Sequence, residues 1–123
     1  MVPDAKLSAE LGRRVDERAN EFLQWLVELV SIPSVSASGE GIRKCAAALR
    51  SRMDSLGVHT ELLETGGEPM LWGEIGSGSG PRPIIYGHYD VQPALDSEGW
   101  IHPPFSPKIH DSAIWGRGVG DNK

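Results

Sequence analysis

Three features of the chain predict an α/β domain. Two apolar stripes at helical spacing fill its first half, alternating apolar and polar residues follow them, and a short, wholly apolar run then leads into a loop carrying a histidine and an aspartate. The 123 residues suit one domain, since domains commonly run to about 100–150 residues.

The first stripe runs from Leu11 to Val30, with apolar residues at 11, 15, 19, 22, 26, 29 and 30. These positions fall within an arc of about 100°, the width expected of a helix packed on one side. Ser8 is the expected cap, with Glu10 in the first turn where the helix dipole favours an acid. Ser31-Ile32-Pro33 ends the helix, because a residue before proline is pushed out of helical geometry. The second stripe comprises Ile42, Cys45, Ala46, Leu49, Met53 and Leu56, and Gly57 follows where a left-handed terminator is wanted. Cys45 lies on that apolar face and reads as small core filler.

Val58, Thr60 and Leu62 alternate with polar neighbours and predict a strand, and Met70–Ile75 predicts another. A Gly/Ser/Pro loop covers 76–83. Ile84-Ile85-Tyr86 then has the character of a central strand covered on both faces. Prolines at 93, 103, 104 and 107 forbid regular structure over most of the next stretch, before a last short strand at Ile114-Trp115.

Composition removes several classes of function. A net charge of −5 offers no basic face for a phosphate backbone or an anionic bilayer, so neither nucleic acid nor membrane is an expected partner. The apolar stretch Phe22–Val30 is too short to span a bilayer and contains Gln24 and Glu28. One cysteine excludes an internal disulfide, and the N-terminus lacks the build of a secretion signal, so a cytoplasmic address is expected.

The chemistry-bearing residues lie in two clusters. In Tyr86-Gly87-His88-Tyr89-Asp90, an extended backbone turns His88 and Asp90 to the same side. A metal-binding histidine commonly donates its other N–H to a carboxylate, so Asp90 is a candidate partner for His88, or a ligand itself. His-x-Asp is also the pattern of a buried histidine bonded to a carboxylate with no metal. In the second cluster, Gly116-Arg-Gly-Val-Gly-Asp-Asn-Lys123, three glycines in five residues imply tight turning or close approach, and Asp121 follows at once. It is not a phosphate loop, because the Gly-x-x-x-x-Gly-Lys-Ser/Thr arrangement is missing. Alone, Asp121 reads as a turn residue.

Taken in order, Tyr86-Gly-His-Tyr-Asp-Val-Gln-Pro93, Trp100-Ile-His-Pro-Pro-Phe-Ser-Pro107 and Gly116-Arg-Gly-Val-Gly-Asp-Asn-Lys123 resemble the co-catalytic dizinc metallopeptidases. That family includes aminoacylases, glutamate carboxypeptidases and succinyl-diaminopimelate desuccinylase. The wording is most similar to its cytosolic non-specific and carnosine dipeptidase branch. Leu29-Val-Ser-Ile-Pro-Ser-Val-Ser36 also resembles the turn after the family's first helix.

The resemblance implies that residues 1–123 are the N-terminal part of an α/β catalytic domain, two helices followed by strands of a mixed sheet, incomplete. It implies hydrolysis of a peptide, dipeptide-like or related amide bond at a site of two divalent metal ions, zinc foremost, with manganese or cobalt as other occupants. His88 would be a terminal ligand of one zinc, Asp121 would bridge the two, and Asp90 would serve catalysis by orienting His88. Asn122 stands where the family often has a cis peptide after the bridging acid. Ser112-Ala113 departs from the family's usual Asp-Gly wording, and Gly120 replaces its usual Ser or Ala.

The general base, the remaining ligands and a lid domain that the resemblance places downstream, with a homodimer in the full-length form left open, are expected to be absent here. His59, His102 and His110 read as surface or loop histidines, and no two glutamates are adjacent to replace the missing acids. The isolated chain is therefore expected to be inactive. Two other classes remain open: a non-catalytic interaction fragment that keeps the motifs as scaffold, and a mononuclear metal site completed by another chain.

Overall fold

The computed structural model describes residues 4–123. Helix α1 spans Ala5–Val30 and α2 spans Ile42–Ser55. Four short strands follow, β1 (His59–Leu63), β2 (Met70–Glu74), β3 (Lys108–His110) and β4 (Ala113–Trp115), with a 3-10 turn at Asp96–Glu98 between β2 and β3. β1 pairs antiparallel with β2, setting Glu61 opposite Trp72, and β3 pairs antiparallel with β4. Helices followed by strands is the order the sequence predicts. Among the described residues, the strands form two separate two-stranded sheets, and the parallel pairing is one isolated bridge, Val35 to Val91.

Three expectations change. α1 starts earlier than the Ser8 cap predicts, because the Asp4 carboxylate accepts from Lys6 N at 2.9 Å and Ala5 and Ala9 are strong helix formers. Ile84-Ile85-Tyr86 forms no strand and lies exposed, Ile85 at 95%. An apolar run becomes a central strand only when neighbouring strands and covering layers meet it, and none of the described residues does so. Lys108–His110 does pair, although it follows Pro107 directly: proline restricts its own backbone and lacks a donor, and Lys108 is already free to extend.

The core gathers at the C-terminal end of α1. Val30, Val35, Ile42, Cys45, Ala46 and Val91 are buried, together with the polar Ser34. Burial of Cys45 at the α2 face agrees with its expected role as filler, and burial pushes its thiol upward in pKa. The stripe of α1 is used at one end only, since Leu7, Leu11 and Val15 remain more than half exposed. α1 and α2 are also tied by Arg52, which stacks 4.2 Å from the Trp25 ring and donates to Glu28 at 3.0 Å.

Gly41 sets the entry to α2. Its φ of 72° is left-handed, and an added Cβ would lie 1.5 Å from the Pro33 carbonyl oxygen. Gly57, just past the end of α2, has a similar φ of 77° with open space around it. Gly57→Ala is expected to cost about 1–2 kcal/mol for the backbone conformation alone. Gly41→Ala should cost about 1–3 kcal/mol beyond that, through overpacking against Pro33. Urea midpoints of the two variants check this, and equal losses would contradict the close approach.

Candidate metal centre

The turn leaving α1 is the floor of the site. Pro33 releases the chain from helical geometry, and Ser34 and Val35 then run beside residues 89–91. Val91 N donates to Ser34 O at 2.8 Å, and Ser36 N donates to Val91 O at 3.3 Å. The buried Ser34 hydroxyl donates to Tyr89 O, toward which the Cys45 thiol also points at 3.8 Å. From the other side, Tyr89 OH donates to Pro69 O. The segment carrying His88 and Asp90 is thus pinned at Tyr89 and Val91, which have their neighbours' side chains on either side.

The glycine-rich segment reaches the same place by close approach. A Cβ on Gly116 would lie 2.7 Å from Val30 Cγ1, and one on Gly118 would lie 2.7 Å from Val91 Cγ1. Glycine at both positions lets the backbone lie directly on the core, and Asp121 follows three residues later. The peptide bond between Asp121 and Asn122 is cis, at the position where the resemblance places one.

His88 and Asp121, thirty-three positions apart, come together. His88 Nε2 lies 3.1 Å from Asp121 Oδ1. On the opposite ring nitrogen, Nδ1 lies 3.1 Å from Asp90 O and 3.2 Å from Asp90 Oδ1. Two acceptors on opposite sides of one ring favour the doubly protonated imidazolium, which can donate from both nitrogens. The His88 pKa is raised accordingly, first by the Asp90 carbonyl and then by the Asp121 carboxylate, against a smaller opposing effect of desolvation. His88 is partly exposed, and the Asp121 side chain is 90% exposed.

This donor set fits one part of a divalent metal site. An imidazole nitrogen and a carboxylate oxygen 3.1 Å apart can both reach one cation, given zinc bonds of about 2.0–2.2 Å. Asp90 sits at the far nitrogen, where a tautomer-setting partner belongs. The set is not a whole site: among the described residues, no three His, Cys, Asp or Glu side chains converge to hold a metal ion. The other histidines do not join it. His59 is exposed on β1, and His110 faces Asp111 at 3.1 Å.

A second polar knot lies beside it. The Glu98 carboxylate accepts from Leu95 N at 2.8 Å, from Trp100 Nε1 at 3.0 Å and from Arg117. Arg117 also donates to Pro93 O at 3.2 Å, stacks 4.9 Å from the Trp100 ring and donates its backbone N–H to Pro104 O at 2.8 Å. The irregular, proline-rich stretch is thereby fastened to the glycine-rich segment. His102, Trp100 and Trp115 line a shallow cavity of about 230 Å³ whose walls include none of His88, Asp90 and Asp121.

Residues 84–123 match the description Peptidase family M20/M25/M40, a segment that holds all three of these residues. The succinyl-diaminopimelate desuccinylase of Xanthomonas oryzae pv. oryzae is 36% identical over 104 residues, 85% of this chain and 27% of that protein. The crystal structure of an M20 family metallo-carboxypeptidase from Sulfolobus solfataricus superimposes with a TM-score of 0.77 at 40% identity, over 81% of this chain and 23% of that one. The di-peptidase Dug1p of Saccharomyces cerevisiae gives 0.76 at 26% identity, over 89% and 26%.

Residues 84–123 carry the sequence of peptidase family M20/M25/M40, and most of the chain is similar to the opening part of these relatives.

It spans about a quarter of the length of these relatives. No helix among the described residues is long and apolar enough to cross a membrane. Three supporting residues lie outside what spacing and motif reveal in the sequence. Ser34 stood in a stretch read only as a turn, and its neighbouring proline was the one available signal. Glu98 carried no spacing signal, because its partner Arg117 is nineteen positions away. Lys123 closes the Gly116–Lys123 motif but carries no signal of its own contacts, because its partners are backbone carbonyls of Leu29 and Ile32.

Two titrations check these electrostatics. His88 is expected to titrate above its ordinary 6.5, and Asp121→Asn should lower that midpoint while the Asp90 contact persists. The stabilisation from the His88 contacts is fully present below the unfolded-state pKa and is lost as pH rises through the raised folded value. An unchanged NMR midpoint in Asp121→Asn would contradict the contact. Glu98 is held down to about 2, first by Arg117 and then by Leu95 N–H and Trp100. Its contribution is therefore present above the ordinary 4.5 and is lost as pH falls through about 2. Arg117→Met should raise the Glu98 carboxyl midpoint toward 4.5, while the Leu95 and Trp100 contacts still hold it below that value.

Proposed function

We propose that this chain contributes His88 and Asp121 as ligands to a divalent metal centre that hydrolyses a peptide, dipeptide-like or related amide bond. The observation that carries the reading is the 3.1 Å approach of His88 Nε2 to Asp121 Oδ1, with Asp90 at the other ring nitrogen. In this reading Asp121 bridges two metal ions and Asp90 is the positioning carboxylate. Zinc is the leading occupant, and manganese and cobalt suit the same nitrogen and oxygen donors. Bound at this pair, such an ion supplies Lewis-acid polarisation of a carbonyl and a lowered pKa for water.

The chain's own residues do the preparatory work. Nδ1–H donates to the Asp90 backbone carbonyl at 3.1 Å, which would fix the tautomer that leaves the Nε2 electron pair free, and 3.2 Å from the same nitrogen stands the Asp90 carboxylate. Its negative charge also raises the basicity of the ring. Ser34 holds the backbone of residues 89–91 in place through its carbonyl and hydroxyl. Two converging ligands fall short of the three or four protein ligands that zinc usually has. The general base and the remaining ligands are accordingly assigned to sequence outside the described residues, and the isolated 123-residue chain is expected to be inactive.

Amide-bond hydrolysis is favoured by the activities named for the relatives: a desuccinylase, a carboxypeptidase and a di-peptidase. A cytoplasmic address accords with one free, buried cysteine.

Cobalt(II) or zinc titrated into the pure chain tests the reading. Wild type should bind at least about tenfold more tightly than His88→Ala or Asp121→Ala, and Asp90→Asn should lie about 10–100-fold below wild type. Incubation with a dipeptide panel and zinc should give no turnover. Equal affinity of wild type and both alanine variants would remove the metal assignment and favour a scaffold or interaction role. Turnover by pure wild-type chain that is lost in His88→Ala would contradict the assignment of the base and remaining ligands to sequence elsewhere.

A further inference from the structure

The last residue of the glycine-rich segment makes contacts that neither metal binding nor the general fold requires. Lys123 Nζ donates to Leu29 O at 2.9 Å and also to Ile32 O. Both carbonyls belong to the C-terminal end of α1 and its exit turn. Carbonyls at a helix C-terminus lack partners within the helix and carry the negative pole of its dipole, so an ammonium group is the complementary cap. Leu29 O also accepts from Ile32 N at 3.1 Å, so Lys123 takes that oxygen's second acceptor site. The aliphatic stem is used as well. It lies close against Gly118, where an added Cβ would meet Lys123 Cδ at 3.2 Å and Cγ at 3.3 Å. Lys123 N donates to Gly118 O at 3.0 Å, closing residues 118–123 into a compact loop around Asp121.

The same exit turn holds the other half of the pair. Ser34, two residues beyond Ile32, binds residues 89–91 through its carbonyl and its hydroxyl. His88 and Asp121 therefore sit on two segments fastened side by side to one short stretch of chain, 29–34. The exposed Asp121 side chain has the His88 ring as its hydrogen-bond partner, so its position depends on the loop that carries it.

We propose that Lys123 is a positioning residue for the proposed metal pair: its ammonium bolts the Asp121 loop to the α1 exit turn and so sets the approach of Asp121 to His88. The inference rests on the metal reading only for the name given to the pair, because the approach itself can be measured without metal.

The test compares wild-type chain with Lys123→Met, which keeps the stem and removes the ammonium, and with Lys123→Arg, which keeps a charge. Ile42→Val, a methylene deletion in the core, controls for a general loss of stability. In metal-free protein, the nuclear Overhauser contact between the His88 ring and the Asp121 β-protons should fall at least twofold in Lys123→Met. It should be partly rescued in Lys123→Arg and unchanged in Ile42→Val. Cobalt(II) affinity should fall about tenfold in Lys123→Met alone. A full-strength contact in Lys123→Met, or equal loss in Ile42→Val, overturns the inference.

Loss of the contact in a protein whose wild type binds no cobalt leaves the inference standing and removes the metal reading, and the converse pattern does the opposite. Should Lys123→Met fail to fold, the wild-type Lys123 ammonium resonance decides. Slow proton exchange with contacts to Leu29 and Ile32 supports the bolt, and a rapidly exchanging, hydrated ammonium overturns it.

Discussion

The structure depends on the exit from α1. Pro33 forces the backbone out of the helix at a point where Val30, Ser34 and Val35 are all buried, and the buried hydrophobic core gathers there. Helix α2 enters over Gly41, whose missing side chain makes room for the Pro33 carbonyl. Residues 89–91 lie along Ser34 and Val35 as a single parallel bridge, and the glycine-rich segment lies on Val30 and Val91. A few hydrophobic side chains therefore hold four pieces of chain that are far apart in sequence. The buried Ser34 is paired there, its hydroxyl with Tyr89 O and its carbonyl with Val91 N. Such pairing is what permits a hydroxyl in a core, since an unbonded one would cost about 1–3 kcal/mol.

Glycine spacing serves this arrangement more than it serves flexibility. Gly116 and Gly118 sit under methyl groups of Val30 and Val91, at distances no Cβ could tolerate. The loop that carries Asp121 thereby acquires a fixed height above the core, and Arg117 between the two glycines is sent the other way, into the Glu98 and Trp100 knot. The six residues 116–121 thus serve both the site and the proline-rich stretch. Its two sides differ in solvation: Asp121 is open to solvent, whereas Arg117 is largely covered.

Much of this was legible in the residues. Helical spacing located α2 and its glycine terminator closely, and Cys45 is the core filler its stripe implied. Alternation found β1, and the Met70–Ile75 run found β2, each to within a residue. The two chemical clusters were visible as short motifs, and their order along the chain carried the family resemblance. What stayed hidden has physical reasons. Ile84-Ile85-Tyr86 has the composition of a central strand, yet composition cannot show whether neighbours are there to pair with it. The first half of α1 bears an apolar stripe, yet Leu7, Leu11 and Val15 meet nothing that covers them among the described residues. Glu98 with Arg117, and Lys123 with the carbonyls of Leu29 and Ile32, are contacts between distant segments involving backbone atoms or a lone acid. No periodicity marks such contacts.

The central claim is that an imidazole and a carboxylate set on separate segments share one cation because both segments are fastened to the α1 exit. Anomalous diffraction at the zinc edge, from crystals of the chain grown with zinc, tests this most directly. The account predicts a peak in contact with both His88 Nε2 and an Asp121 carboxylate oxygen, with Asp90 remaining on Nδ1. A peak bound elsewhere, or His88 and Asp121 separated with zinc on only one of them, would contradict it.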